Sequence, residues 1–209
     1  MTICEVELHG PWFSPLPTRP SLMENGKNPA QQDTKTFTVF ISSTFRDNQE
    51  RRKQVEDAIL RGGMQPIGME RFTASNHPTV EECERLARDC NIYLGIIAHR
   101  YGWIPDGKTL SITELEYDAA KEADKPCLIF EIDQSIRPDI ESEFDPQPGR
   151  WDKQKLLDAF KAKCRKDQMP TPFTNENLAV KVLQALNLWR EKQEGNTAGP
   201  SSQTDSNVA

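Results

Sequence analysis

Asn91-Ile-Tyr-Leu-Gly-Ile-Ile-Ala98 is an almost unbroken apolar run with no polar alternation. A strand of that kind is buried on both faces, as the central strands of parallel sheets are. Burial on both faces demands a helix layer on each side, so the neighbouring segments should alternate strand and helix. Upstream, Thr79 to Arg88 spaces Val80, Cys83 and Ala87 along one helical face, after a polar loop from Glu70 to Pro78. Before that loop come a brief strand, Met64 to Gly68, and a helix carrying Val55, Ala58 and Ile59 that stops at Gly62-Gly63. Thr44, with Asp47 in the capping-box place, is expected to start that helix, and Phe37 to Ile41 is the first strand.

Downstream the same alternation continues. A loop, His99 to Leu110, leads to a helix beginning at Ser111, whose expected inner face is Ile112, Leu115, Ala119 and Ala123. Pro126 opens a strand, Cys127 to Ile132, followed by an acidic loop to Gly149 and a helix from Trp151 to Cys164. Pro170 and Pro172 confine any strand in Met169 to Phe173 to the sheet edge. A last helix, Asn175 to Gln193, presents Leu178, Val182, Leu186 and Trp189. Strict alternation implies right-handed crossovers and a three-layer, doubly wound parallel sheet of five strands in the flavodoxin-like order 2-1-3-4-5. Ligands of such folds sit beyond the carboxyl ends of strands one and three, which selects the loops 42–46, 70–78 and 99–111.

The 209 residues suit one domain, expected over 36–193. Residues 1–35 hold Pro15, Pro17, Pro20 and Pro29 without a helix or strand period and read as a flexible leader, with Trp12 and Phe13 able to dock. Residues 194–209, mostly Gly, Ser, Thr, Asn and Gln, read as a disordered tail. A net charge of -6 and a pI near 5.2 argue against a nucleic-acid partner. Five cysteines, an odd number with no Cys-x-x-Cys, fit small apolar thiols in a reducing, cytoplasmic setting. No signal peptide is visible, and the longest apolar run is too short for a bilayer, so no membrane partner is expected.

Several chemistries are excluded by what is missing. There is no P-loop, no Gly-x-Gly-x-x-Gly after the first strand and no Gly-x-Ser-x-Gly elbow. The three histidines lack metal-site spacing, so no metal is expected. Ser42, Ser43 and Thr44 stand where backbone N–H groups and hydroxyls suit a phosphate or ribose, with Arg46 adding a charged fork; simple helix capping accounts for them equally well. His99, Arg100, Tyr101 and Trp103 can flank a flat base or form an ordinary loop rim. Glu70 leaves strand two towards the same crevice. Ser111 and Glu114 are spaced as a capping box, which gives Glu114 a structural task. Glu116 has no such task and lies one turn into the helix, where a carboxylate can meet ribose hydroxyls, stabilise an oxocarbenium-like transition state or attack C1. A solvated helix glutamate is the alternative.

Val39-Phe-Ile-Ser-Ser-Thr-Phe-Arg-Asp47, Gly68-Met-Glu70, His99-Arg-Tyr-Gly102, Ser111-Ile-Thr-Glu-Leu-Glu-Tyr117 and Lys125-Pro126 together resemble a TIR-like family of unknown function, domain of unknown function 4062. The resemblance covers most of 36–193. Its members often precede NTPase and repeat modules, which implies self-association or a partner of that class. The family is distantly similar to TIR domains and nucleoside deoxyribosyltransferases, whose helix glutamate precedes a Lys-Pro at the spacing of Glu116 to Lys125-Pro126. That similarity implies Glu116 as the catalytic position and NAD or a related nucleotide as substrate, with no cofactor. Nicotinamide leaves as a neutral base, so one carboxylate suffices. Three functions stay open at this point: an N-glycosidase acting through Glu116, a non-catalytic interaction module, and a nucleotide sensor without turnover.

Overall fold

Gly95, in the middle of the decisive apolar run, sits in a central strand whose six residues are all buried. A computed structural model describes residues 36–68, 79–138, 144–145 and 150–197. The chain order is β1 (Thr38–Ser43), α1 (Gln49–Arg61), β2 (Gln65–Ile67), α2 (Val80–Asp89), β3 (Ile92–Ile97), α3 (Ile112–Glu122), β4 (Cys127–Ile132), α4 (Arg150–Asp167), β5 (Thr171–Phe173) and α5 (Leu178–Thr197). All strand pairs are parallel, and the sheet order is β2-β1-β3-β4-β5. The domain is therefore a three-layer, flavodoxin-like doubly wound sheet. β5, with Pro172 at its centre, lies at the edge as its prolines require.

Alternation along β1 divides the core in two. Val39 and Ile41 pack with Val55, Ile59, Leu178, Val182 and Leu186, so α1 and α5 cover one face. Phe40 packs with Ala87, Tyr93, Tyr117, Leu157 and Phe160, so α2, α3 and α4 cover the other. Phe37 meets Trp189 edge to face, with ring centroids 4.9 Å apart, and ties the entry of β1 to α5. Cys83, Cys90, Cys127 and Cys164 are free, buried thiols.

Four expectations need correction. Thr44 does not cap α1: the helix begins five residues later, with Asn48 at its N-cap, and Thr44 Oγ1 instead donates to Asp47 Oδ1 at 2.6 Å within a turn. β1 accordingly extends through Ser42 and Ser43, which are strand residues rather than part of a strand-to-helix loop. The inner face of α3 is also rotated. Thr113, Glu114, Glu116, Tyr117, Ala119 and Ala120 are buried, while Ile112 and Leu115 are only partly so. Two carboxylates on the buried side misled a reading by hydrophobicity. α5 continues four residues past Gln193, to Thr197. Residues 1–35 and most of the stretch from 194 onwards lie outside the described residues.

Candidate functional site

The period of two in β1 points Ser42 to the α2–α3 side and Ser43 to the α1 side. Ser42 Oγ donates to Glu116 Oε2 in a very short hydrogen bond between buried groups. Glu116 reaches this place because Ser111 caps α3, its Oγ accepting from Glu114 N at 3.3 Å, which fixes the phase of the first turn. The Cys83 thiol of α2 also donates to the carboxylate, and the Arg52 guanidinium lies close enough to act on it. Glu116 is 2 % exposed. Burial dominates its titration and pushes the carboxyl up to about 7, against the opposing pull of Ser42, Arg52 and Cys83. Burial, and then the neighbouring Glu116, push Cys83 up to about 12, so this thiol is a hydrogen-bond donor and not a nucleophile.

The other face of β1 is organised by Arg52. Its Nη1 donates to Ile41 O at 3.2 Å and to Ser43 Oγ at 3.0 Å. Ser43 in turn donates to Thr44 O at 3.1 Å. Both hydroxyls named from the sequence are thus buried, Ser42 against the carboxylate and Ser43 against the arginine.

In the β3–α3 loop the four residues that could flank a base or form an ordinary rim fall into different environments. Tyr101 is 1 % exposed, and its hydroxyl donates to Glu114 Oε2 at 2.7 Å while accepting from Ser111 N at 3.2 Å. The capping box of α3 is closed through this phenol, so Tyr101 and Ser111 are structural at these contacts. Trp103 is 64 % and Phe45 44 % exposed, and Arg46 is exposed beside Phe45. A Cβ on Gly102 would lie 2.6 Å from Thr44 Cγ2, which shows that the β1–α1 and β3–α3 loops touch. His99 and Arg100 are half-buried. Arg100 Nε stands 4.0 Å from Asp47 Oδ1 and 3.8 Å from Asp145 Oδ1. Glu70 lies outside the described residues.

Sequence reasoning missed Arg52, Asp47 and Asp145. Arg52 was legible: it is in register with Val55 and Ile59 on the apolar stripe of α1. Asp47, pushed up to about 6 mainly by burial, was read from the sequence only as a capping-box residue. Asp145 comes from a loop distant in sequence, which no local pattern reveals. A separate groove of about 500 Å³ opens among Glu131, Asp133, Arg165, Met169 and Pro170, two strands away from β1. Of its two carboxylates, Glu131 is already paired with Arg165 and with Lys161, and Asp133 accepts from Ser135.

A family model described as Domain of unknown function (DUF4062) matches residues 38–187. The chain belongs to this family. The matched residues of this DUF4062 member run from β1 into α5 and include Ser42, Arg52, Arg100 and Glu116. No curated protein matches the sequence. Among solved structures, the chain is similar to a flavoprotein from Thermotoga maritima, with 16 % identity and a TM-score of 0.41 over 74 % of this chain and 35 % of that one. It thus spans about a third of that protein. It is similar to a diflavin flavoprotein A3 from Nostoc sp., with 12 % identity and a TM-score of 0.42 over 76 % and 97 % of the two chains. It is also similar to the TIR domains of the activated Roq1 resistosome, with 10 % identity and a TM-score of 0.39 over 73 % and 85 %. None of these three bears on chemistry at such identities. Among the described residues, no helix is long and apolar enough to cross a membrane, and no group of His, Cys, Asp and Glu could hold a metal ion.

Proposed function

We propose that this DUF4062 domain binds an NAD-class nucleotide at the carboxyl ends of β1 and β3 and cleaves its N-glycosidic bond with Glu116. The observation that carries the reading is the Glu116 carboxyl itself. It is buried at the topological switch point, held by the Ser42 hydroxyl and pushed up to about 7. Packing alone gives no reason to keep a carboxylate there, because a neutral side chain of the same shape would cost the fold less.

In the proposed reaction the bond between ribose C1 and the nicotinamide nitrogen breaks, and its electron pair goes to the ring, cancelling the positive charge. Glu116 faces the developing oxocarbenium ion, either as a counter-charge or by bonding to C1. Water then adds at C1 and releases one proton, giving ADP-ribose. Ser42 positions the carboxylate, and substrate must displace part of this buried arrangement to reach it. Phe45 and Trp103, exposed on touching loops, supply flat surfaces for a base.

Nicotinamide release from NAD by the concentrated protein tests this reading. Glu116→Gln is expected to lower the rate about 10³-fold or more, and the wild-type rate should rise with pH through about 7 as the carboxyl ionises. A folded wild type that releases no nicotinamide would remove the catalytic reading. The exposure of Phe45 and Trp103 would then favour a protein-docking module, in which Trp103→Ala weakens self-association and Glu116→Gln does not.

A further inference from the structure

Asp145 is buried and comes from the long loop between β4 and α4. Its Oδ2 accepts from Tyr101 N at 2.7 Å, and its Oδ1 accepts from Gly102 N at 3.3 Å. Gly102 has a φ of 95°, so two successive N–H groups converge on one point. Two cations join them: Arg100 Nε at 3.8 Å and Lys153 Nζ at 3.6 Å from Oδ1. Lys153 is held there by donating to Gly102 O at 2.6 Å, and Arg150 Nε holds the Asp145 carbonyl oxygen at 2.9 Å.

We propose that the two amides, Arg100 and Lys153 form a phosphate-binding site at the end of β3, and that the Asp145 carboxylate is an internal stand-in for the phosphate. A loop staple needs only the two amide bonds. Arg100 and Lys153 add two cations to those amides, and Arg100 also faces Asp47 on its far side. Amides converging at a glycine of positive φ, flanked by an arginine and a lysine, make an anion receptor. A phosphate or diphosphate brings more charge and a third oxygen to the same donors. At Gly102 this site lies against Thr44 of the β1–α1 turn, two residues past Ser42. The inference rests on the nucleotide reading for the identity of the ligand and adds its control: the nucleotide must displace Asp145.

Inorganic pyrophosphate is the probe, titrated at constant ionic strength into wild type, Asp145→Asn and Asp145→Asn/Lys153→Gln. If Asp145 fills the site for about 90 % of the time or more, freeing it tightens binding about tenfold or more. Asp145→Asn is expected to show that gain, and the added Lys153→Gln to abolish it. Equal affinity of folded Asp145→Asn and wild type would overturn the proposal. Should Asp145→Asn not fold, the amide resonances of Tyr101 and Gly102 in the wild type decide: they shift with pyrophosphate if the site exists. Their indifference up to the order of tens of millimolar would overturn it. Binding without NAD turnover leaves this site standing while the glycosidase reading fails, and turnover without binding does the reverse.

Discussion

At the scale of one residue, Glu116 sets chemistry against stability. Its carboxyl titrates near 7 in the fold against 4.5 when free, because burial penalises the charged form. The folded state therefore holds the proton more tightly than the unfolded chain does. The penalty is absent below the unfolded value, grows as pH rises and is complete above the folded one. A shift of that size corresponds to roughly 3 kcal/mol at about pH 8, and to under about 1 kcal/mol at about pH 5. Glu116→Gln keeps the shape and an acceptor for the Ser42 hydroxyl while removing the charge. Urea unfolding at the two pH values should show the variant more stable than wild type by an amount of that order at the higher pH, with the gap closing at the lower. A variant that is less stable at both would mean that the charge is better compensated than its burial implies.

At the scale of the element, β3 shows how far local pattern reaches. Its apolar run marks a central strand without ambiguity, yet Gly95 within it has a purpose visible only in three dimensions. A Cβ there would stand 2.9 Å from Ile129 Cδ1 and 3.1 Å from Tyr93 Cε1. The isoleucine tip can yield, but the Tyr93 ring is wedged between Phe40 and Tyr117, and its hydroxyl reaches Thr113 O at 3.4 Å. Gly95→Ala is expected to cost roughly 1–3 kcal/mol in chemical denaturation, by moving a ring that borders Ser42. A cost near zero would mean that the ring moves freely. The elements themselves were legible because strands and helices differ in period. What escaped was the polar content of buried faces. Glu114 and Glu116 hid the true inner side of α3, because hydropathy counts such residues as solvent-facing, whereas Arg52 could be placed by its register with Val55 and Ile59. Of the crevice, the Ser42–Glu116 pair was named one residue at a time, but their contact across 74 positions of chain depends on the sheet. The part Tyr101 plays in closing the cap was not legible, because a loop aromatic carries no mark of whether it faces a ligand or a helix end.

At the scale of the whole molecule, the doubly wound order brings two carboxyls with raised titration to one end of the sheet. Asp47 is pushed up to about 6 and Glu116 to about 7, both chiefly by burial. Each withdraws stability as pH climbs from its unfolded value, 3.8 or 4.5, through its folded one. Glu81, Asp133 and Glu176 act in the opposite sense. Hydrogen bonds to their charged forms hold them below the usual range, so the stability they contribute is lost as pH falls through their folded values. Glu81 and Glu176 are exposed, Asp133 is open to water in part, and all three are screened, so the buried pair governs the neutral side of the curve. The thermal midpoint should therefore peak near about pH 5 and decline by about pH 7.5, unlike a protein whose carboxylates are all paired. Glu116→Gln should flatten the part of that decline centred between about pH 5 and 7, leaving the acid limb unchanged. A midpoint that climbs steadily to neutral pH would show that the crevice admits enough water to ionise both carboxyls without penalty, and Glu116 would then be open to substrate without any displacement of the buried arrangement.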